Sequence, residues 1–567
     1  MPGDPHPPAA SPLVWGDDGL PRSSLYGDVY FSAQDGLAES RAVFLVGCGL
    51  PDAWRGRRRF VVGELGFGTG LNIAALLELW RGAAEPGAQL HIFSVEAHPI
   101  TREEAERALA RWPEIGEAAQ ALTGRWPGRA RGVHRVELPA FNAILDLAIM
   151  EAGEALAGWS GRADAWFLDG FSPATNPQMW RDDLLALVAE RSAPGAKAAT
   201  FTVAGAVRRG LEAAGFAVEK RPGFGRKRER LEARLPGVAA EPATPRVAVV
   251  GAGIAGASLA RAFRALGAEP QVFGAADGAS RNPAALVTPR LDAGLAGLAR
   301  LYSESFRRAV ALYAETPGAV IARGARQLEV APRDAARFAK IAASDLFEPG
   351  AMKAGDGLEM ADALVVEPEP LLQAWTGALS PPVARLEEID ADVVCIAAGH
   401  ASAGFADLPL QPIRGQASWI GGVTTGATAF GGYAIPTREG VLFGATHDRE
   451  VSDTEVWDED NLRNLSLLAK GLPDLAAELA GRPLQARASI RAATPDKLPL
   501  AGALADGLYV LSGLGSRGFC TAPLLAEHVV ALALGAPSPL PVDLARLVDP
   551  ARFARDNRRR GHVPKAK

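Results

Sequence analysis

Two strand–glycine turn–helix signatures constrain this chain more than any other feature. The first, "VVGELGFGTGLNIAAL", runs from Val61 to Leu76, and the second, "VAVVGAGIAGASLARAF", from Val247 to Phe263. An apolar strand that enters a glycine-rich turn and then a helix opens a doubly wound nucleotide-binding sheet. Glycine spacing and flanking residues differ between the two, so they are not copies of one repeat. Between them "LPGVAAEPATPRVAVV", Leu235 to Val250, is rich in Pro, Ala and Gly and has no hydrophobic period before Val247. It reads as a linker. The expected division is a first domain over 25–235, a linker over 236–245 and a second domain over 246–547.

The first domain alternates apolar strands with helical patterns. "RRFVVGELG", "QLHIFSVEAHP", "ADAWFLDGF" and "AKAATFTV" read as strands, with "LNIAALLELWRG" and "REEAERALARW" as helices. That alternation predicts an α/β fold, a doubly wound parallel sheet with its ligand at the carboxyl ends of the strands. The second domain opens the same way, then passes into short strands and Pro/Gly turns between about 320 and 510. "ADVVCIAAG", Ala391 to Gly399, returns as a buried strand. The expectation is a nucleotide-binding lobe interrupted by an antiparallel substrate lobe, roughly 320–390 and 410–490.

Composition narrows the class. With 48% hydrophobic and 22% charged residues the chain reads as globular, and no apolar run approaches the roughly 18 residues that span a bilayer. Residues 1–24 have neither a basic nor an apolar signal region and are expected to be a disordered leader. The 3 cysteines, Cys48, Cys395 and Cys520, have no CxxC spacing. Neither a metal site nor a disulfide framework is expected, and a reducing cytoplasm fits. The net charge of −5 does not mark a nucleic-acid binder, but local basic runs exist at Arg55–Phe60, at Gly225–Arg230 and in a tail over 548–567. A phosphate backbone needs only a local patch. A monomer is expected.

The first turn is poorly suited to a phosphate. Glu64 stands just ahead of Gly66, Gly68 and Gly70, with Thr69 among them and Asn72 in the first helical turn. An acid there repels a pyrophosphate and welcomes positive charge. Glu96 ends the next strand, where an acid commonly takes both ribose hydroxyls. A ribose, a sulfonium and no phosphate describe S-adenosylmethionine. Asp169, at the end of the strand in "FLDGFSPATNPQMW", faces the place where a methyl acceptor arrives. It reads either as the group that orients or deprotonates an amine or as a cap for the next helix. The second turn, Gly251, Gly253 and Gly256, has no adjacent acid and leaves a helix N-terminus free for a pyrophosphate.

The runs "ELGFGTGLN", "FSVEAHP" and "WFLDGFSPATNPQMW" resemble the methyltransferase half of the bifunctional MnmC family, which makes 5-methylaminomethyl-2-thiouridine in tRNA. The resemblance implies S-adenosylmethionine as methyl donor and the amine of 5-aminomethyl(-2-thio)uridine at tRNA wobble uridine 34 as acceptor. By motif, Asp169 would orient or deprotonate that amine. Glu64, Gly66, Gly68, Thr69, Gly70, Asn72, Glu96 and Glu151 would line the donor. Relatives tend to carry Gly-Asp where this chain has Met150-Glu151.

"NPAALVTPRLD", "PIRGQASWI", "IRAATPDKLPLAG" and "GLGSRGFCTAPLLAEHV" resemble the flavin half of the same family and, beyond it, glycine and D-amino-acid oxidases. This implies FAD, held by Gly251, Gly253, Gly256, Asn282, Ala284, Gly513, Gly515, Arg517 and Gly518. Arg491 would grip the carboxylate of 5-carboxymethylaminomethyluridine. Hydride from the carbon beside nitrogen would pass to the flavin, and imine hydrolysis would free the amine. Three features depart from the pattern: Gly274 where a ribose-binding acid is expected, with Asp277 three residues on; Arg281 within Ser280–Asn282; and a short segment from Leu379 to Ala391. Two other readings stay open. One is a fused methyltransferase and amine oxidase for a small molecule, the other a degenerate flavin half serving as a tRNA-binding or structural platform.

Overall fold

The computed structural model describes residues 11–225, 227–241 and 244–553. They divide into two units between Ala243 and Thr244.

The first unit starts earlier than its composition suggests. Residues of the expected disordered leader form a hairpin, β1 (Leu13–Trp15) antiparallel to β2 (Pro21–Ser23). Leu13 and Leu20 are buried, which is why the segment orders despite its prolines and glycines. Residues 1–10 lie outside the described residues. After α1 (Gly36–Ser40) come β3 (Arg59–Leu65), α2 (Leu71–Ala83), β4 (Gln89–Glu96), α3 (Arg102–Leu109) and α4 (Gly116–Thr123). Then follow β5 (Gly132–Leu138), β6 (Ala143–Ile149), α5 (Ala152–Gly158), β7 (Ala163–Leu168) and α6 (Asp182–Glu190). β8 (Ser192–Thr200), α7 (Gly205–Ala213), β9 (Ala217–Pro222) and β10 (Glu229–Arg234) close the unit.

The eight strands lie in the order β5-β6-β4-β3-β7-β8-β10-β9. β6, β4, β3, β7 and β8 are parallel, so the α/β expectation holds. A wholly parallel sheet is not found: β5, β9 and β10 are antiparallel. Short connections allow this at the edges, since Leu138 and Ala143 are joined by a single turn. The central strands are buried on both faces, and β3, "RFVVGEL", reads as a continuous apolar run for that reason. Switching from β3 to α2 and from β7 to its loop brings the two turns together. The Asp169 N–H donates to Leu65 O at 3.1 Å. Gly66 has φ +96, and a Cβ on it would lie 2.3 Å from Asp169 O. Only glycine permits that approach.

The second unit opens with β11 (Val247–Val250), α8 (Ile254–Ala265), β12 (Pro270–Phe273), β13 (Ala285–Val287) and α9 (Gly297–Glu315). β14 (Val320–Gln327), α10 (Asp334–Ala342), β15 (Met352–Gly355), β16 (Gly357–Val366), α11 (Pro368–Thr376) and β17 (Leu379–Ser380) follow. Next are β18 (Val393–Ile396), β19 (Gln411–Gly421), β20 (Thr428–Ala429), β21 (Tyr433–Pro436), β22 (Gly440–Gly444) and β23 (Asp448–Arg449). The unit ends with α12 (Asp458–Gly471), α13 (Pro473–Leu479), β24 (Gln485–Ala493), β25 (Leu500–Ala505), β26 (Leu508–Ser512), α14 (Gly518–Ala533) and α15 (Val542–Val548).

One sheet, β17-β12-β11-β18-β26-β25, carries the glycine turn. β18 is parallel to both β11 and β26, which seats "VVCI" at its centre. The 379–391 segment supplies only the two-residue β17 and one short turn. A second sheet, largely antiparallel, spans β13 to β24 and forms the other lobe. The basic tail lies outside the described residues from 554 onward. Among the described residues no helix is long and apolar enough to cross a membrane.

A buried ion pair ties α9 to α14. Arg308 Nε donates to both Glu527 oxygens at 3.0 Å, and Arg261 Nη1 of α8 reaches Oε1 at 3.2 Å. Removing one partner of such a pair strands a charge in the core. Because Arg261 still faces Glu527, Arg308→Ala is expected to cost about 2–3 kcal/mol, read as a lower denaturant midpoint for the second unit, with Arg308→Lys losing less.

Candidate functional site

The first unit holds a cavity of about 1100 Å³ at the carboxyl ends of β3, β4, β6 and β7. Gly66, Gly68, Thr69, Asn72, Glu96, Glu151 and Asp169 all line it. Glu96 organises the glycine turn: one oxygen accepts the Gly68 N–H at 3.0 Å, the other the His98 N–H at 2.8 Å. A carboxylate has about four acceptor positions, so both oxygens keep capacity for hydroxyl donors. Glu151, exposed at the start of α5, makes no side-chain cap to that helix. Asp169 caps nothing either; its Oδ2 accepts from Asn72 Nδ2 at 2.7 Å.

Two expected donor contacts are corrected. Glu64 does not reach the cavity but lies fully buried behind Asn72, whose Nδ2 donates to it at 3.2 Å. Ser94 Oγ donates to its other oxygen at 2.5 Å. Burial pushes the Glu64 carboxyl up to about 8, with the Asp169 charge adding to that. Its place behind Asn72, outside the cavity lining, is what separates it from a bound donor. Gly70, at φ +77, begins α2 against Leu122 and Trp126 and shapes the turn from behind. Asp169 is pushed up to about 7, again chiefly by burial, while the Asn72 hydrogen bond and Lys227 pull it down.

The cavity wall that packs on the glycine turn at Gly68 contains residues that motif reasoning missed. Tyr26, Asp28 and Tyr30 line the cavity. Tyr26 packs on Phe171 at 5.1 Å between centroids and Tyr30 on the same ring at 5.4 Å. Asp28 Oδ2 accepts the Ser172 N–H at 3.2 Å. Lys227 also lines the cavity, bound to Glu39 at 2.9 Å and set 4.1 Å above the Phe201 ring. The available signal was the aromatic spacing in "SLYGDVYFS", which has no helical or strand period.

The second unit holds a cavity of about 990 Å³. Gly251, Gly253, Asn282, Ala284, Arg491, Gly513, Gly515, Arg517 and Gly518 line it. Gly256 does not: a Cβ there would lie 1.8 Å from Gly251 O, so it lets helix α8 pack on its own turn. The helix starts at Gly253 without a side-chain cap, and its first N–H donates to Ser280 Oγ at 3.0 Å. The remaining free N–H groups and the open glycine turn suit a pyrophosphate. Gly274 stands where the ribose acid was expected, its Cα so near the turn that a Cβ would lie 3.0 Å from Ala252 N. Asp277 lines the cavity beside it. Arg281 is turned to Glu369.

Arg491 projects from β24 across β19. A Cβ on Gly415 would lie 2.1 Å from Arg491 Nη1, so the glycine of "PIRGQ" clears the space that the guanidinium fills. Nη1 donates to Thr446 O at 3.4 Å. Burial lowers its pKa, with Tyr433 opposing. Among the described residues it makes no ion pair, which leaves a buried cation with room for a carboxylate. Arg517 donates to Thr288. No group of His, Cys, Asp and Glu suited to a metal occurs among the described residues.

Comparison with known proteins bears on both cavities. Residues 113–236 match the model of the S-adenosyl-L-methionine-dependent methyltransferase family, a span that contains Asp169 but not the glycine turn. Residues 246–385 and 380–532 match the FAD dependent oxidoreductase family. A tRNA 5-methylaminomethyl-2-thiouridine biosynthesis bifunctional protein MnmC from Caulobacter vibrioides is 60% identical, over 96% of this chain and 98% of its own length. The protein of that name from Maricaulis maris is 43% identical, over 97% of each. The cavities suit the two ligands: a glycine turn tied to an acid that also lines the cavity for S-adenosylmethionine, and a helix start beside open glycines for FAD. The chain belongs to the bifunctional MnmC family, an S-adenosylmethionine-dependent methyltransferase unit followed by an FAD-dependent oxidoreductase unit.

Proposed function

We propose that the chain removes the carboxymethyl group from 5-carboxymethylaminomethyl(-2-thio)uridine at position 34 of tRNA and then methylates the amine so exposed. The observation that carries this reading is Arg491, a buried guanidinium without a carboxylate partner in the flavin-unit cavity. A cation desolvated in this way favours an anionic substrate group, and the carboxymethyl arm ends in a carboxylate. The small-molecule reading uses the same arginine; the MnmC relatives, named for a tRNA product, favour the tRNA. Three buried free cysteines suit a cytoplasmic enzyme.

In the oxidase unit the flavin supplies a two-electron acceptor. Arg491, steadied by Thr446 O, holds the carboxylate, and the room over Gly415 sets how far the arm enters. In the methyltransferase unit S-adenosylmethionine supplies an electrophilic methyl group. Asp169 takes the proton of the incoming amine and frees its lone pair for in-line attack. Asn72 keeps that carboxylate aimed into the cavity. The Tyr26, Tyr30 and Phe171 rings form an apolar wall that excludes water.

Asp169 must be ionised to act, so methyl transfer rises with pH through about 7. Asn72→Ala deletes the hydrogen bond that lowers this pKa. The midpoint of the pH–rate profile is expected to move up by about one unit, measured on tRNA bearing the aminomethyl nucleoside. Asp169→Ala is expected to slow the same step about 10²–10⁴-fold. In cells it accumulates the aminomethyl nucleoside by mass spectrometry. Arg491→Ala accumulates the carboxymethylaminomethyl nucleoside instead, while the purified variant still methylates aminomethyl-tRNA. Unchanged nucleosides in both strains overturn the reading.

A further inference from the structure

Arg491 does not stand alone at its cavity. Arg449 of β23, Ile413 of β19 and Arg491 of β24 pair in register across three neighbouring strands. Residues directly opposite one another in antiparallel strands project from one face, and strands lie about 4.8 Å apart. Arg449 and Arg491 therefore share a face, with backbones about 10 Å apart. His447, just before β23, lines the cavity with Arg491. Lys497 sits in the turn that follows β24, with φ +63 and its N–H donating to Thr494 O. Arg491, Arg449 and Lys497 all act electrostatically on the His447 ring. His447, Arg449 and Lys497 are exposed.

The acids near these groups are committed elsewhere. Asp448 takes both Nη groups of Arg463, and Asp496 takes Arg552 and the Thr494 hydroxyl. Glu450, beside Arg449, is exposed. Neither Arg449 nor Lys497 makes an ion pair among the described residues. His447 lines the pocket, and Arg449 and Lys497, outside that lining, set two unneutralised cations beside it, next to an inner cation that already suits the carboxylate. A glycine-like substrate needs one cation. A nucleotide bound by its C5 arm also carries backbone phosphates, and these need further cations.

Resting on the function proposed above, we propose that His447, Arg449 and Lys497 form a phosphate-gripping rim that holds the RNA backbone beside the wobble nucleotide while Arg491 holds its carboxylate. The arginine and lysine supply charge to phosphate oxygens, and the imidazole supplies an N–H donor. Burial and the neighbouring cations lower the His447 pKa, so at neutral pH it donates without adding charge.

The test uses the full flavin-loaded chain and two substrates: tRNA carrying 5-carboxymethylaminomethyluridine, and the free nucleoside, which has no phosphate. In the double variant Arg449→Ser/Lys497→Ser, KM for the tRNA is expected to rise at least tenfold with kcat retained, while KM for the nucleoside stays put. The slope of log kcat/KM against log salt should become shallower by about 1.4, two phosphates at ~0.7 each for a single strand. The charge-conserving pair Arg449→Lys/Lys497→Arg should recover most of the loss. An unchanged tRNA KM, or an equal rise on both substrates, overturns the rim. If the unmodified protein oxidises neither substrate, the oxidase reading fails, and the rim is judged by fluorescence anisotropy of a labelled anticodon stem-loop. There the Ser/Ser variant must bind at least tenfold more weakly, and equal affinity overturns the proposal.

Discussion

Asn72 donates a single amide group to two buried carboxyls, and the methyltransferase cavity depends on that arrangement. Glu64 and Asp169 come from different strands, and burial raises the pKa of each. Without that shared donor, the enclosed Glu64 would lose a hydrogen bond and Asp169 would lose the group that orients it at the cavity. Ser40 Oγ donates to Asn72 Oδ1 at 2.7 Å, which turns the amide hydrogens toward the acids. Glu64 then stays behind the wall while Asp169 faces the cavity, so the two acids that share one amide differ in access to a ligand. The close approach at Gly66 makes the geometry possible, because it brings the β7 turn within reach of α2.

The two glycine turns divide the labour by what flanks them. In the first, Glu96 ties the turn through Gly68 and still faces the cavity. In the second, no acid adjoins the glycines in the turn, which leaves a helix start to face negative charge. The loss of an acid at Gly274 is a matter of space: the strand end lies against the turn at Ala252, and Asp277 reaches the cavity from further along the chain. The shortened 379–391 segment leaves β12 with only a two-residue neighbour, and the central β11–β18–β26 pairing does not depend on it.

Much of this was legible in the residues. Strand, glycine turn and helix are local events, so the turns, the order of βα units and Asp169 at its strand end could be read from periodicity and motif. Solvation could not. Glu64 looks like a cavity acid because it precedes the glycines, yet alternation along β3 points it into the sheet behind Asn72. Gly256 and Gly70 show the same limit, since a glycine that touches ligand and one that lets backbone pack leave the same letter. The Tyr26–Tyr30 wall and the Arg449–Ile413–Arg491 row need long-range closure and strand register, which no window of sequence contains. The leader was misjudged because Pro and Gly there shape a hairpin whose two buried leucines are too few to register as a pattern.

That hairpin leads into the wall of the donor cavity, and this has a consequence for how the unit is made. Asp28 meets Ser172 across 144 residues of chain, and Tyr26 and Tyr30 meet Phe171 over a similar span. Contacts of such long range form late, because the entropy of closing the loop must be met before they contribute. During synthesis this segment is made before its partner and finds it only after the turn that follows β7 has emerged. The chamber therefore cannot close until the chain has been made as far as Phe171 and Ser172, more than 100 residues after the glycine turn.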